Sequence, residues 1–212
     1  MIQHQFNKKS RGYDVPFKNT IREFIRHAKH KSILDVGAGY FTEYYGFKHD
    51  NIDIKYTGVD MNNSLVEQAR SFGIDAYCCR CETLPFNDRA IDCSICIDVI
   101  NYNMDFRGTI SELIRVSRKD VYIIFHKMFC DDDGFDTDNL EMYVNEDDET
   151  GVVYKQIKSD RCVDMCYFSR QKIEQYLKNI HNITYSMFTT DRPWLIDHQN
   201  EPRYLLHIHV IQ

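Results

Sequence analysis

Three short stretches of the chain hold residues whose types and spacing suit them to chemistry. The first is Ile33-Leu34-Asp35-Val36-Gly37-Ala38-Gly39, an apolar run entering a turn with two glycines. Without a Cβ, such a turn lets backbone approach a ligand closely. The second is Asp60, which ends the run Tyr56-Thr57-Gly58-Val59-Asp60, 21 positions after Gly39. An acid at the edge of the strand beside a glycine turn can accept both hydroxyls of a ribose. The third is Cys81-Glu82-Thr83-Leu84-Pro85-Phe86. Together they predict a nucleoside-binding edge. A dinucleotide site shares the glycine turn and the ribose acid, but its six-residue fingerprint requires a glycine at position 42, where this chain has Thr42. Asp35 is awkward beside a pyrophosphate and useful near a cationic ligand.

These stretches can cooperate only if the chain sets them on one sheet edge. Phe17, Ile21, Phe24, Ile25 and Ala28 recur at helical spacing, with Pro16 near the helix start. SILDV reads as a strand, followed by a helix over about Phe41 to Phe47, and YTGVD as a second strand. NSLVEQARSFG follows as a helix, with Asn63 or Ser64 as N-cap and Gly73 as its stop. DAYCC is a third strand, and Pro85 marks a turn. IDCSICIDVI has the near-continuous apolar character of a strand buried on both faces. MDFRGTISELIRVSR is a helix and DVYIIFH a fifth strand, so strand and helix alternate as in a parallel sheet.

After His126 the rhythm breaks. KMFCDDDGFDTDN is acidic and loop-like, and MYVNEDDETGVVYKQI reads as a hairpin. FSRQKIEQYLKNI is a helix capped by Ser169. ITYSMFTT and YLLHIHVI close the chain with no helix between them, so they must run antiparallel.

The 212 residues suffice for one α/β domain, and 43% hydrophobic with 27% charged residues is ordinary for a globular protein. No apolar run approaches the roughly 20 residues of a membrane span. Met1 to Tyr13 is polar and lacks the apolar stretch of a secretory signal. A cytoplasmic protein with reduced thiols is the expectation; Cys93 and Cys96, for instance, lie within one apolar run at an odd spacing that points them to opposite faces, unlike a zinc site. A net charge of −6 disfavours a nucleic-acid surface, without excluding a local basic patch. The segment from Arg22 to Lys31, with Arg22, Arg26, Lys29 and Lys31, reads as a solvated helix face. Asp131-Asp132-Asp133-Gly134 fails the calcium-loop pattern, and no metal site is expected.

ILDVGAG, the acid of YTGVD, CETLPFNDRAIDCSICIDVI and the FSRQKIEQYL helix together resemble the class I S-adenosylmethionine-dependent methyltransferases, particularly the small type 11 group. The resemblance covers residues 31 to 125 and, by pattern, the last 45. It implies that Asp35, Gly37, Ala38 and Gly39 wrap the methionine part of the cofactor, that Asp60 holds the ribose and that Met61 packs on the adenine. Cys81 and Glu82 would flank the adenine edge, Asp98 and Val99 would line the site, and Tyr13 would close over the cofactor. The chain departs from the family at Phe41, where a third glycine is common, and at Arg80, where the family has an acid; Arg80 cannot accept a hydrogen bond from the adenine amine. Asp98 with Asp138-Asn139 echoes a magnesium arrangement of some catechol-methylating relatives.

The expected fold is α/β: a Rossmann-like seven-stranded, mostly parallel sheet with helices on both faces and an antiparallel last strand. One domain would span residues 1–212, with an N-terminal helical cover over about 1–30 and a lid or hairpin insert over about 127–168. The expected activity is methyl transfer from S-adenosylmethionine to an oxygen or nitrogen of a small molecule. His126, ending the fifth strand, is the candidate base, ahead of Asp98 and Tyr102. The alternatives are an NAD-binding oxidoreductase and a non-catalytic binding module of the same fold.

Overall fold

The computed structural model describes residues 12–103, 105–125, 128–129, 142–143, 152–157, 164–190 and 203–211. The first half alternates as its periodicity requires: α1 (Pro16–His27), β1 (Ser32–Val36), α2 (Thr42–His49), β2 (Lys55–Asp60), α3 (Asn63–Ser71), β3 (Ala76–Cys78) and β4 (Ile91–Ile97). A 3₁₀ turn (Ile100–Tyr102), α4 (Phe106–Val116) and β5 (Ser117–Phe125) follow. Beyond them lie β6 (Met128–Phe129), β7 (Met142–Tyr143), β8 (Val152–Ile157), β9 (Asp164–Ser169), α5 (Arg170–Lys178), β10 (Ile183–Thr190) and β11 (Arg203–Val210).

The main sheet has seven strands in the order β10-β11-β5-β4-β1-β2-β3. β1 to β5 pair in parallel, and β11 runs antiparallel to both β5 and β10. The last strand thus inserts between its two neighbours, leaving β10 at the sheet end. Alternation along each strand sorts side chains to two faces. Leu34, Val36, Cys96, Val121 and Ile123 meet α4 and α5 through Ile110, Leu113, Ile173 and Leu177. Ile33, Cys93, Ile95, Tyr122 and Ile124 meet α1, α2 and α3 through Ile21, Ile25, Phe47 and Val66. Cys93 and Cys96 do lie on opposite faces, both fully buried.

Several boundaries move. The N-cap of α3 is Asn62, whose side chain accepts from the Ser64 and Leu65 amides, rather than Asn63 or Ser64. α4 ends at Val116 and passes without a loop into β5, so Ser117 and Arg118 are strand residues. Ser169 caps α5 as its hydroxyl predicts, accepting from the Lys172 amide, but it also ends β9, a strand the sequence reading did not anticipate. In the region read as an insert, β6-β9-β8-β7 form a second sheet, with β7 and β8 antiparallel in the manner of a hairpin.

Arg22 overturns the reading of its segment as a solvated face. It is 1% exposed. Its Nε donates to Asp50 Oδ2 at 2.6 Å and its Nη1 to Glu43 Oε2 at 2.8 Å, while Nη2 reaches the Tyr13 carbonyl at 3.1 Å. A buried charge persists only when paired in this way. Gly46 makes the room, because a Cβ there would sit 2.6 Å from Arg22 Nη1. The guanidinium therefore fastens α1 to α2, the helix that follows the glycine turn. At the opposite sheet edge, Asp120 gathers three imidazoles: His30 Nε2 at 3.0 Å, His207 Nε2 at 2.7 Å and His209 Nδ1 at 3.1 Å.

Candidate functional site

The carboxyl ends of β1, β2 and β4 open on a cleft of about 570 Å3, within the usual range for a small-molecule site. Its back wall is the turn between β1 and α2. The Gly37 and Ala38 amides donate to the Val59 carbonyl at 2.8 and 2.9 Å, which binds the turn to β2. Gly37 lies at φ +75, and a Cβ there would fall 2.3 Å from Val99 Cγ2. Only glycine meets both demands. The turn then closes through the Phe41 amide on the Ala38 carbonyl at 2.7 Å.

Asp60 ends β2 at the cleft. Its Oδ2 accepts the Gly39 amide at 2.8 Å and its Oδ1 the Asn62 amide at 2.8 Å. These bonds fix the carboxylate and leave each oxygen a further lone pair for a ligand hydroxyl. Met61, 70% exposed, stands beside it on the rim.

The opposite wall is the segment from Cys79 to Glu82. It is held from behind by Arg115 of α4, which donates to the Leu84 and Phe86 carbonyls at 3.0 and 2.8 Å, and by Glu112, which accepts the Leu84 amide at 2.8 Å. Cys81 Sγ receives Asn103 Nδ2 at 3.2 Å and Thr109 Oγ1 at 3.4 Å. Burial pushes the Cys79 thiol up to about 11 and raises that of Cys81 as well. Both are therefore neutral at ordinary pH and unsuited to nucleophilic attack. Arg80 bonds Glu82 at 3.0 Å. Burial alone would raise the Glu82 carboxyl; its own backbone amide and Arg80 outweigh this and hold it below the usual range.

Asp98 and Val99 follow β4 and complete the floor with Ile97. Asp98 sits at φ +57 with its amide on the Ile124 carbonyl at 3.1 Å, which extends the β4–β5 pairing by one bond. Tyr102 and Asn103, from the 3₁₀ turn and just after it, form the far rim. Three carboxylates and one guanidinium line the cleft, and with Arg203 pairing Asp98 from outside the lining the balance is still negative, which favours a cationic ligand.

Of the residues singled out from sequence, Gly37, Asp60, Met61, Cys81, Glu82, Asp98, Val99 and Tyr102 line this one cleft. Gly39 touches it indirectly, through its bond to Asp60. Ala38 is buried behind the turn. Asp35 points to the other side of β1, where Tyr56 Oη donates to it at 2.6 Å. Burial drives its carboxyl up to about 7, against the Tyr56 hydrogen bond and with help from Glu43. Tyr13 packs its ring 5.1 Å from His49, away from the cleft lining. His126, Asp138 and Asn139 lie outside the described residues. Cys79, Asn103 and Ile97 were not singled out; Ile97 alone carried a signal, as the last apolar residue before Asp98. Among the described residues no group of three or more His, Cys, Asp or Glu is arranged to hold a metal ion, and no helix is long and apolar enough to cross a membrane.

The start of α2 bears on the dinucleotide alternative. Glu43 lies in its first turn, 2% exposed, with Lys18 Nζ at 3.0 Å from its Oε1. Lys18 also donates to Thr42 Oγ1 at 2.6 Å. With Lys18 and Arg22 on its two oxygens that carboxylate is neutralised inside the fold, and what counts against a pyrophosphate here remains Thr42, where the dinucleotide fingerprint requires glycine.

A family profile described as a methyltransferase domain matches residues 34–125. Among solved structures, the chain is similar to an S-adenosylmethionine-dependent methyltransferase from Clostridium acetobutylicum, at 15% identity and a TM-score of 0.65, over 98% of this chain and 99% of that one. One from Methanosarcina mazei aligns at 13% identity and a TM-score of 0.64, over 86% of this chain and 93% of that one. A Pyrococcus horikoshii protein aligns at 15% identity and a TM-score of 0.61, over 89% and 86% respectively. Among curated proteins, none matches the chain.

Proposed function

From a chain that has the fold of the class I S-adenosylmethionine-dependent methyltransferases, we propose that the cleft binds S-adenosylmethionine and that the protein transfers its methyl group to an oxygen or nitrogen of a small molecule. The observation that carries this reading is Asp60. Its carboxylate is fixed by the Gly39 and Asn62 amides, at the lip between the glycine turn and Met61. A ribose held there would lie with its base toward Met61, Cys81 and Glu82, and its methionine arm along Gly37 toward Asp98. The acidic lining suits the positive charge of that arm.

When bound, the cofactor supplies a methyl group already activated on a sulfonium. The chain has then mainly to align acceptor and methyl, since in-line displacement depends on proximity and direction. For an acceptor that must lose a proton, we assign the base to His126, which follows Phe125 directly in sequence; Asp98 and Tyr102 are the alternatives already in the cleft. Cys93 and Cys96 are core residues on opposite faces of one strand rather than part of a disulfide framework, and on that ground we place the protein in a reducing compartment, the cytoplasm.

The test is calorimetric titration of the protein with S-adenosylmethionine, S-adenosylhomocysteine and NAD, repeated on Asp60→Ala. Binding of the first two and its loss in the variant is the expected outcome. Binding of NAD alone would overturn the reading in favour of a nucleotide-dependent oxidoreductase.

A further inference from the structure

Arg203 opens β11 at the cleft edge of the sheet: its neighbour Tyr204 pairs with Phe125, the last residue of β5. It does not line the cleft. Instead its Nη1 is paired with the carboxylate of Asp98, which does. Its guanidinium carbon lies 4.7 Å from the centroid of the Phe17 ring in α1. One side chain, 14% exposed, thus joins the end of β4, the start of β11 and the N-terminal helix. Burial lowers its pKa to about 10, so it keeps its charge at neutral pH.

Asp98 needs such a partner. It is a non-glycine residue at φ +57, beyond the last regular residue of β4, with its side chain 31% exposed. Nothing in the strand geometry fixes its χ angles, and water competes for its oxygens. A guanidinium stacked on an aromatic ring has its plane set in advance, and so presents its N–H groups in a fixed direction. A lysine at the same place would carry the charge without the planar fork.

We propose that Arg203 is a positioning residue, holding the Asp98 carboxylate in a single orientation toward the cationic arm of the ligand in the cleft. The assignment rests on the S-adenosylmethionine reading above. Arg203 touches no ligand; it acts through Asp98, and Phe17 in turn fixes Arg203. The device ties the acidic floor of the cleft to α1, so seating of the N-terminal helix and binding are linked through one ion pair.

The test is a double-mutant cycle on binding. Affinity for S-adenosylmethionine is measured calorimetrically on the full chain and on Arg203→Met, Asp98→Asn, the double variant and Arg203→Lys, with thermal unfolding of each. A charge-assisted contact to the ligand predicts that Arg203→Met and Asp98→Asn each weaken binding by about tenfold or more. The double variant should then be no weaker than the worse single one, with Arg203→Lys between wild type and Arg203→Met. A merely structural arginine would give independent losses that multiply, or wild-type affinity in Arg203→Met; either result overturns the proposal and leaves the function reading standing. If Arg203→Met does not fold, Arg203→Lys decides: intermediate affinity supports the proposal, wild-type affinity overturns it. Should the wild-type chain bind neither S-adenosylmethionine nor S-adenosylhomocysteine, both the reading and the proposal fall.

Discussion

The Phe41 ring occupies the space that a side chain at position 58 would fill: a Cβ on Gly58 would lie 2.6 Å from Phe41 Cε1. Phe41 is the N-cap of α2, fully buried and at φ +55, a left-handed conformation that costs a bulky residue on the order of 1 kcal/mol. The resemblance drawn from the sequence implies a glycine at this point of the turn. Here the glycine sits across the gap, on β2, and the ring fills the space between turn and strand. Burying the ring outweighs the backbone strain, since a buried phenylalanine contributes about 3 kcal/mol or more.

Gly58→Ala should therefore destabilise the protein by about 1–3 kcal/mol through overpacking against Phe41 and the Tyr56 hydroxyl. Phe41→Leu, added to it, should recover part of that loss. Urea unfolding of the two singles and the double measures the coupling; strictly additive changes would mean that the two residues do not share the space.

Asp60 offers the most direct reading of the cleft. Asp60→Asn keeps the shape and can retain one of the backbone amide bonds, yet it removes the charge that strengthens bonds from ribose hydroxyls. The expected loss of S-adenosylmethionine affinity is about 10- to 100-fold, or roughly 1.5–3 kcal/mol. Asp35→Asn, on the far side of β1, should leave affinity much closer to wild type. Titration calorimetry on the two variants separates a ligand-facing acid from a buried one.

Asp35 also predicts a pH dependence of stability. Its folded pKa of about 7 lies above the ordinary 3.8, so the folded state holds a proton that the unfolded chain releases. The contribution is fully present below about pH 4 and declines as pH rises through about 7, by at most about 4 kcal/mol. Asp35→Asn keeps an acceptor for the Tyr56 hydroxyl and removes the titration. Relative to the wild type, the variant should gain stability between about pH 4 and 7 and level off above that in thermal unfolding. A difference that stays constant across that range would show that Asp35 is ionised throughout.

Arg22→Ala should cost about 3–5 kcal/mol, because it leaves the Glu43 carboxylate buried beside only Lys18 and opens a gap against Gly46. Glu43→Gln in the same chain should return part of the loss by removing the unpaired charge. Thermal unfolding of the single and double variants tests this, and a solvated arginine would give a change below about 0.5 kcal/mol.

What could be read in the residues was what neighbours in sequence decide. The apolar periods of SILDV and IDCSICIDVI mark buried parallel strands. The absence of a helical pattern between β10 and β11 points to an antiparallel ending, since a parallel crossover usually runs through a helix. The turn at Gly37 and the acid at Asp60 follow from backbone demands and strand direction, both local. Tertiary structure alone decided the rest. The insertion of β11 between β5 and β10 depends on how hydrogen-bonding edges compete, which strand composition does not encode. Arg22 looked like its neighbours Arg26 and Lys29, and only the approach of Glu43 and Asp50, 21 and 28 residues away, makes it a core residue. The match of Phe41 with Gly58, the turning of Asp35 away from the cleft, and the pairing of Asp98 with Arg203 across 105 residues share one cause. Charge pairing and ring packing are set by distances between elements, and those distances exist only once the sheet has closed around its core.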